Sequence, residues 1–363
     1  MRIAYLGQMA DMAVENGISK KIRQQSLAWL QRGHSVHYFA LTPSGVAWPG
    51  LAPLETTLLR RGGLLGRQAS SRELCRRIRA WSPDLIYFRY ANHEAGLPAL
   101  LGDIPTIGEI NSDDTYEYGL TLPLHKRLYH KLTRKSVLRK LTGLVPVTEE
   151  LAHRMSWLGI PSQVIANSLD LAATPALPPL SDAAPSLLFI GNTGSPWHGL
   201  ERIGELAEML PDYRFDIVGC DQGDWQACSA RPLHPNMVLH GTLGRDQYLH
   251  LVAGATAAIG TMALFRKSMD EACPLKVREY LCHGLPVIAA YRDTDIPDGA
   301  NYFLRLPNTP SPLQPWREKI MEFLERWRGQ RIPRTEIAHI DISVKEEKRL
   351  AFMARILSKT GGP

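Results

Sequence analysis

The sequence predicts an α/β protein built from two parallel-sheet domains, and three observations predict it. Short β-branched or aromatic runs alternate with helical patterns along the chain, the signature of strand–helix–strand units. The series is interrupted between Ser168 and Pro185 by a stretch rich in Pro, Ala and Ser, then starts afresh. A length of 363 residues suits two cores of ordinary size better than one.

In the first series, strands are predicted at Arg2–Gly7, Ser35–Ala40, Asp84–Tyr90, Pro105–Ile110, Gly143–Val147 and Ser162–Ala166. Helices are predicted at Ile18–Gln31, Ser70–Trp81, Leu122–Lys140 and Glu149–Leu158, with Gly33 as the stop of the first. The loop Gln8–Glu15 is long and leads to Asn16-Gly17; it holds no Gly-x-Gly-x-x-Gly, so a dinucleotide fingerprint is absent. Pro175, Pro178, Pro179 and Pro185 donate no backbone hydrogen bonds, so 168–185 reads as a linker between a domain at 1–167 and one at 186–342. In the second domain the strands are Leu187–Gly191, Phe215–Gly219, Met237–Gly241, Ala257–Met262 and Pro286–Ala290, with helices at Gly199–Leu210, Arg245–Ala253, Pro274–His283 and Trp316–Trp327. An amphipathic helix near Val344–Leu357 occupies the last segment, 343–363. Two such domains imply a cleft between them as the ligand site.

Composition narrows the function classes. Apolar content of 44% with 21% charged residues is that of a soluble globular protein. No run of about 18 apolar residues is present, so no span is expected. MRIAYLG goes directly into a strand pattern without the features of a secretory signal. Cys75, Cys220, Cys228, Cys273 and Cys282 are scattered, with no Cys-x-x-Cys pair, which fits a reducing cytoplasm rather than a disulfide framework or zinc knuckle. The net charge of +6 is uneven: residues 1–167 hold 21 Lys and Arg against 13 acids (+8), the remainder 21 against 23 (−2). The first half therefore has a basic surface, or faces an anionic partner.

Chemistry is expected outside the carboxyl ends of the second domain's strands. In FIGNTGSPWHGL a strand ends at Gly191, a turn carries Asn192 and His198, and a helix starts near Gly199. Such a helix start offers free amides and a positive dipole end to an anion; a solvent-facing loop is the plain alternative. In DEACPLKVREYLCHGLPVI, Pro274 suits the first turn of a helix and Gly284 its end. Glu271 then precedes the helix, Glu279 lies within it, and the amides near Leu275 and Lys276 point out of its start. Spacing alone is weak: 19 glutamates produce about one Glu-x7-Glu pair by chance, and Glu109 to Glu117 is a second.

The surroundings carry more. EACPLKVREYLCHGLPVI resembles the Glu-x7-Glu region of retaining glycosyltransferases of GT-B fold, in particular the glycosyltransferase 4 family. NGISKKIRQQSLAWLQRGHSVHYF, LTGLVPVTEELAHRM, QVIANSLDL, LLFIGNTGSPWHGLE and NMVLHGTL extend the resemblance in order along most of the chain. The resemblance implies two Rossmann-like domains facing across a cleft, with the C-terminal helix crossing back to the first. It implies transfer of a sugar from a UDP- or GDP-sugar to a saccharide or lipid-linked acceptor with retention, in surface polysaccharide synthesis. No metal and no cofactor are implied. Glu271 would bind donor-sugar hydroxyls and Glu279 the ribose; Leu275 and Lys276 would meet the diphosphate, and Gly241, Thr242 and Leu243 the base. Where the family often has Arg and Lys to neutralise the leaving diphosphate, this chain has Asn192 and His198. Either His198 acts as the cation, or Arg266, Lys267 or Lys276 substitutes, or the protein binds donor without turnover. A non-catalytic sugar-nucleotide-binding subunit and a sugar-nucleotide epimerase of the same architecture are the rival readings.

In the first domain, the Asn16-Gly17 loop is expected to close over the cleft. Glu109, Asn111 and Asp113 at one strand end, and Arg89 at another, are candidates for acceptor contacts or for structural salt bridges. His125–Lys140 carries seven Lys or Arg with Leu124, Leu128, Leu132 and Leu138 at near-helical spacing, and Arg60–Arg79 carries seven Arg. Together they read as a surface for anionic lipid headgroups, which would make the protein peripheral on the cytoplasmic face of a membrane, or else as a core-facing leucine stripe with a solvated back. Aromatic residues do not interleave with these charges as a nucleic-acid platform requires. Asp293-Thr294-Asp295 reads as loop acids rather than a metal site.

Overall fold

The computed structural model describes residues 1–8, 16–179 and 184–360. Most of the expected Gln8–Glu15 loop and part of the 168–185 segment lie outside the described residues. Two compact units form: residues 1–168 with 342–363, and residues 169–341.

The first unit runs β1 (Arg2–Gln8), α1 (Gly17–Gln31), β2 (Ser35–Thr42), β3 (Glu55–Arg60), α2 (Leu64–Trp81), β4 (Leu85–Arg89), α3 (Leu97–Asp103), β5 (Thr106–Ile110), α4 (Asp114–Thr121), α5 (Leu124–Leu138), β6 (Gly143–Pro146) and α6 (Glu149–Met155). The second runs β7 (Ser186–Ile190), α7 (Leu200–Met209), β8 (Arg214–Val218), α8 (Gln222–Cys228), β9 (Met237–Gly241), α9 (Arg245–Gly254), β10 (Ala257–Ile259), α10 (Leu275–Cys282), β11 (Val287–Ala289), β12 (Phe303–Arg305) and α11 (Arg317–Trp327). The last helix, α12 (Ile342–Thr360), belongs to the first unit.

Both sheets are parallel, in the orders β3-β2-β1-β4-β5-β6 and β12-β11-β10-β7-β8-β9. Numbered within its own unit, each reads 3-2-1-4-5-6, the doubly wound order whose direction reverses beside its first strand. β4, β5, β6, β7 and β8 are buried almost throughout, as strands covered on both faces must be. The edge strands β3 and β12 escaped the sequence reading. β3 is only half buried and β12 has three residues, so neither carries the apolar run of a central strand.

Other differences have local causes. Residues 162–166 run beside β6 and give the Gln163 and Ile165 amides to Leu144 and Pro146. They do not form the expected strand, because Pro146 and Pro161 cannot donate to a ladder. The expected helix at Leu122–Lys140 starts at Leu124, after Pro123 has separated it from α4. From Leu169 onward the segment read as a linker is bonded into the second unit: the Leu177 amide donates to the His283 carbonyl (3.2 Å), Arg331 Nε donates to Leu177 (3.0 Å), and Arg334 donates to Thr174.

α12 docks through polar as well as apolar contacts. Leu350, Phe352, Met353 and Ile356 join the core of Tyr5, Trp29 and Tyr87, whose rings pack with centroids 5.2–5.6 Å apart. The fully buried Glu346 accepts from Trp29 Nε1 at 2.7 Å and pairs with Arg349, whose Nε donates to Tyr87 Oη at 2.9 Å. Removing one member of a buried pair strands its partner's charge. Glu346→Ala is therefore expected to cost about 3–5 kcal/mol of unfolding free energy. Chemical denaturation measures it, and a loss below about 1 kcal/mol would contradict this role.

Candidate functional site

The polar edge of the second unit forms where β7 and β10 end. The β7 loop is pinned to the β10 loop by the Met262 amide donating to His198 O and the Ala263 amide to Trp197 O, each at 3.1 Å. Gly199, at φ 68°, makes this approach possible: a Cβ there would lie 2.9 Å from Ala263 Cβ and 3.0 Å from its nitrogen. Gly191 allows His198 to close in, since a Cβ at Gly191 would lie 3.1 Å from His198 Nδ1 and 2.5 Å from the Phe189 ring.

His198 is buried, and Nδ1 has no hydrogen-bond partner among the described residues. Burial, then the nearby Lys276 and Lys267 ammonium groups, push its pKa down to about 2. The ring is therefore neutral at physiological pH, which corrects the expectation that it supplies the positive charge. Asn192 spends its amide locally, donating to Ser195 Oγ at 2.8 Å and to the Thr193 carbonyl at 3.2 Å. Arg266 is bound to Glu201 (2.8 Å) and to the Pro196 carbonyl (2.7 Å). Lys267 lies 4.5 Å from the centroid of the Trp197 ring.

Lys276 differs from these. Its side chain rises from the first turn of α10, with Nζ buried 3.9 Å from the centroid of the Phe189 ring and without a hydrogen-bond partner among the described residues. Burial lowers its pKa to about 7. Cys220 is close enough to act on it, but burial raises that thiol to about 11, so it is no counter-ion at neutral pH. The α10 start thus brings together a positive helix end, free first-turn amides and an uncompensated ammonium.

The two glutamates of the motif flank this point. Glu279 accepts from Tyr248 Oη at 2.7 Å. Glu271 is nearly buried and accepts from Arg292 Nη1 at 3.3 Å, while backbone bonds between residues 270–272 and Arg292 hold its loop. Asp293, read as a loop acid, is instead buried and pairs with Arg278 at 2.6 Å. Gly241 (φ 61°) ends β9, followed by the exposed Thr242 and the partly buried Leu243. Tyr248, Tyr280 and Arg292 were not singled out from sequence; a tyrosine's reach to a strand end 90 residues away leaves no local pattern. Asn192, Ser195, His198, Cys220, Asp224 and Arg266 line a cavity of about 330 Å³ beside this edge. A larger one, about 890 Å³, lies between α7 and α8 but holds none of the expected site residues. Among the described residues no group of three or more His, Cys, Asp or Glu is placed to hold a metal, and no helix is long and apolar enough to cross a membrane.

The acceptor candidates of the first unit are largely structural. Asn16 caps α1, accepting from the Ile18 and Ser19 amides at 2.9 and 3.0 Å. Gly17 is the first residue of that helix. Glu109 is fully buried and takes Lys21 (2.7 Å), Arg89 (2.8 Å), Asn111 (2.7 Å) and Tyr87 (2.7 Å). Burial alone would raise its pKa; Lys21, Arg89 and Arg349 outweigh that and hold it ionised. Its oxygens are filled, so the expected contact from Glu109 to an acceptor hydroxyl is withdrawn, and Asn111 is committed to the same cluster. Asp113 caps α4 and pairs with Arg154 at 2.7 Å, so it too is structural.

Two doubly wound units, each of order 3-2-1-4-5-6, are the arrangement of the GT-B fold. Residues 16–168 match the model of the Glycosyl transferase 4-like domain, and the match ends where the first unit's main segment ends. Among solved structures, the chain is similar to the lipopolysaccharide outer core galactosyltransferase WaaB (13% identity, TM-score 0.65, covering 98% of this chain and 100% of that one). It is also similar to Anabaena Alr3699/HepE in complex with UDP and glucose (14%, TM-score 0.67, 97% and 99%). A third is WaaG, a glycosyltransferase of lipopolysaccharide biosynthesis (14%, TM-score 0.63, 99% and 100%). Comparison with curated proteins finds no match. Residues 16–168 thus carry a glycosyl transferase 4-like domain, and the chain has the GT-B fold.

The glycine at the loop junction gives a direct check on this geometry. Gly199→Ala meets both the left-handed backbone penalty of about 1–2 kcal/mol and a clash with Ala263, which adds about 1–3 kcal/mol. Gly241→Ala meets the backbone penalty alone, since nothing lies within 4 Å of its added Cβ. Thermal denaturation of both variants is expected to show the larger loss at Gly199; equal losses would contradict the packing described.

Proposed function

We propose that the chain moves a hexosyl group from a UDP- or GDP-sugar to a saccharide or lipid-linked acceptor with retention of anomeric configuration, in surface polysaccharide assembly at the cytoplasmic face of a membrane. The observation that carries this reading is the buried Lys276 ammonium without a counter-ion, at the start of α10 and between the two motif glutamates. A buried cation without a partner is costly, and a diphosphate seated at the helix start completes the pair. The UDP and glucose held by HepE support a UDP-sugar as donor, and the lipopolysaccharide roles named for WaaB and WaaG support a saccharide acceptor.

In this reading Glu279, oriented by Tyr248, takes the ribose hydroxyls, and Thr242 and Leu243 border the base. Glu271 takes donor-sugar hydroxyls. As the bond from the anomeric carbon to the diphosphate oxygen breaks, negative charge grows on the leaving group, and Lys276, Lys267 and the Leu275 and Lys276 amides stabilise it. His198 assists as a neutral hydrogen-bonding ring. The acceptor hydroxyl attacks from the same face and passes its proton to the departing phosphate, with no covalent enzyme intermediate, no metal and no cofactor. Asn16, Gly17 and Arg89 serve the acceptor side, and the basic surface of the first unit faces an anionic membrane.

One observation favours a second reading: with Asn192 engaged locally and His198 neutral, fewer charges face the leaving group, as in a subunit that binds donor without turnover. A thermal-shift panel of UDP, GDP, ADP, dTDP and NAD on wild type and Glu279→Ala tests the donor site. A ligand at about 100 times its Kd adds roughly 2.7 kcal/mol, a shift of about 5–11 °C for domains of this size. A shift with one diphosphate, lost in the variant, is expected; none, or one with NAD only, overturns the reading. Binding without transfer or hydrolysis favours the second reading, and isomerised donor without acceptor favours an epimerase.

The Lys276 ammonium also sets a pH dependence. Its pKa near 7 in the free protein rises toward the ordinary lysine value when a diphosphate sits beside it, so donor binding above pH 7 takes up a proton. Affinity for a UDP-sugar, whose diphosphate does not titrate in this range, is expected to be full below about pH 7 and to fall as pH rises to about 9. Lys276→Met should weaken binding and flatten that profile in calorimetric titrations; an unchanged slope would remove Lys276 from the diphosphate site.

A further inference from the structure

α5 is amphipathic in the opposite sense to an ordinary surface helix. Its inner edge is tied down: His130 Nε2 lies 2.7 Å from Asp114, Arg134 Nε donates to the same carboxylate at 2.8 Å, and Val137 and Leu138 are fully buried. These ties fix the helix's rotation, and they turn Leu124, Leu128 and Leu132, spaced one turn apart, outward at 77%, 56% and 74% exposure. Tyr129 is half exposed beside them. The core-facing alternative for this stripe is thereby excluded, except at Leu138.

The charges around the stripe are of one sign. From Leu124 to Lys140 there is no Asp or Glu, and Lys126, Arg127, Lys131, Lys135, Arg139 and Lys140 are exposed. On the helix, Lys131 and Lys135 fall on the same side as the three leucines. α2, the other basic stretch, differs: five of its segment's seven arginines are held by carboxylates, Arg61 and Arg67 by Glu94, Arg76 and Arg77 by Glu73, and Arg79 by Asp103.

We infer that α5 is a membrane-docking helix whose Leu124, Leu128 and Leu132 insert among the acyl chains of an anionic bilayer while its lysines and arginines bind the headgroups. Exposed leucines have no use for a polar partner, and a cationic rim without acids selects a negatively charged apolar surface, which a bilayer of anionic lipid provides. This sharpens the membrane-facing part of the proposed function, assigning it to α5 and to insertion rather than to charge on both helices, and it is independent of the donor chemistry.

Flotation with vesicles of phosphatidylglycerol and phosphatidylcholine in equal parts, against phosphatidylcholine alone, tests it on the full chain. Wild type is expected to float with the anionic vesicles, and raising salt should weaken binding without abolishing it. The triple variant Leu124→Gln, Leu128→Gln, Leu132→Gln should bind at least tenfold more weakly, while Arg76→Gln with Arg77→Gln binds as wild type. The shift with a nucleoside diphosphate, unchanged in the triple variant, shows that the fold and donor site are intact and separates this test from that of the enzyme reading. Three results overturn the proposal: no flotation of wild type at low salt, equal flotation of the triple variant, or a wild-type dimer that the triple variant loses without any vesicle binding. Equal competition by duplex DNA, undiminished in the triple variant, would instead assign the charges to nucleic acid and also overturn it.

Discussion

The hydrogen bond from the Ile190 amide to Tyr280 Oη, at 2.6 Å, holds α10 against the end of β7, and the second unit's chemistry depends on that placement. Tyr280 is fully buried, so its hydroxyl needs a partner, and the last amide of β7 supplies the bond. With α10 fixed there, Lys276 one turn earlier is carried over Phe189, and Glu279, the neighbour of Tyr280, reaches Tyr248. The loop that follows β7 is set by the same edge, because Gly199 lets it press onto Ala263. One buried contact thus orders a helix start, an ammonium and a carboxylate.

The two units differ in one buried charge. In the first, Glu109 and Glu346 are surrounded by Lys21, Arg89, Arg349, Tyr87 and Trp29. Such closed networks hold the C-terminal helix and the sheet together and satisfy both carboxylates internally. In the second, the Lys276 ammonium is buried without a carboxylate. Burial without compensation lowers its pKa and makes it responsive to an arriving anion. The contrast separates compensated from uncompensated charge more clearly than residue type does, since both clusters are rich in Lys, Arg and Glu.

Most of the architecture was legible in the sequence because central parallel strands are continuous apolar runs and their helices carry a 3.6-residue period. The readings that failed lie where that signal is weak. β3 and β12 are short edge strands, α3 and α8 have seven residues each, and residues 162–166 follow Pro161 and run beside Pro146. In the site, the α10 start was legible from Pro274, Gly284 and the spacing of Glu271 and Glu279. The state of each side chain was not. His198 sits beside Gly191 in a position that suggested a cation, and its ionisation follows from Lys276 and Lys267, which are near it only in space. The same holds for the leucines of α5, whose period is identical whether they face the core or solvent.

The sequence by itself determined two parallel α/β units, the order of their elements and the positions of the loop after β7 and the start of α10. It could do so because strand runs, helix periods, Pro–Gly punctuation and free helix-start amides are properties of neighbouring residues. Only the tertiary structure decided which charges are compensated, which ring is neutral and which face of α5 meets solvent. Those properties depend on desolvation and on partners such as Asp114 for His130, Glu109 for Lys21 and Phe189 for Lys276, which packing brings together across 16 to 88 residues of chain.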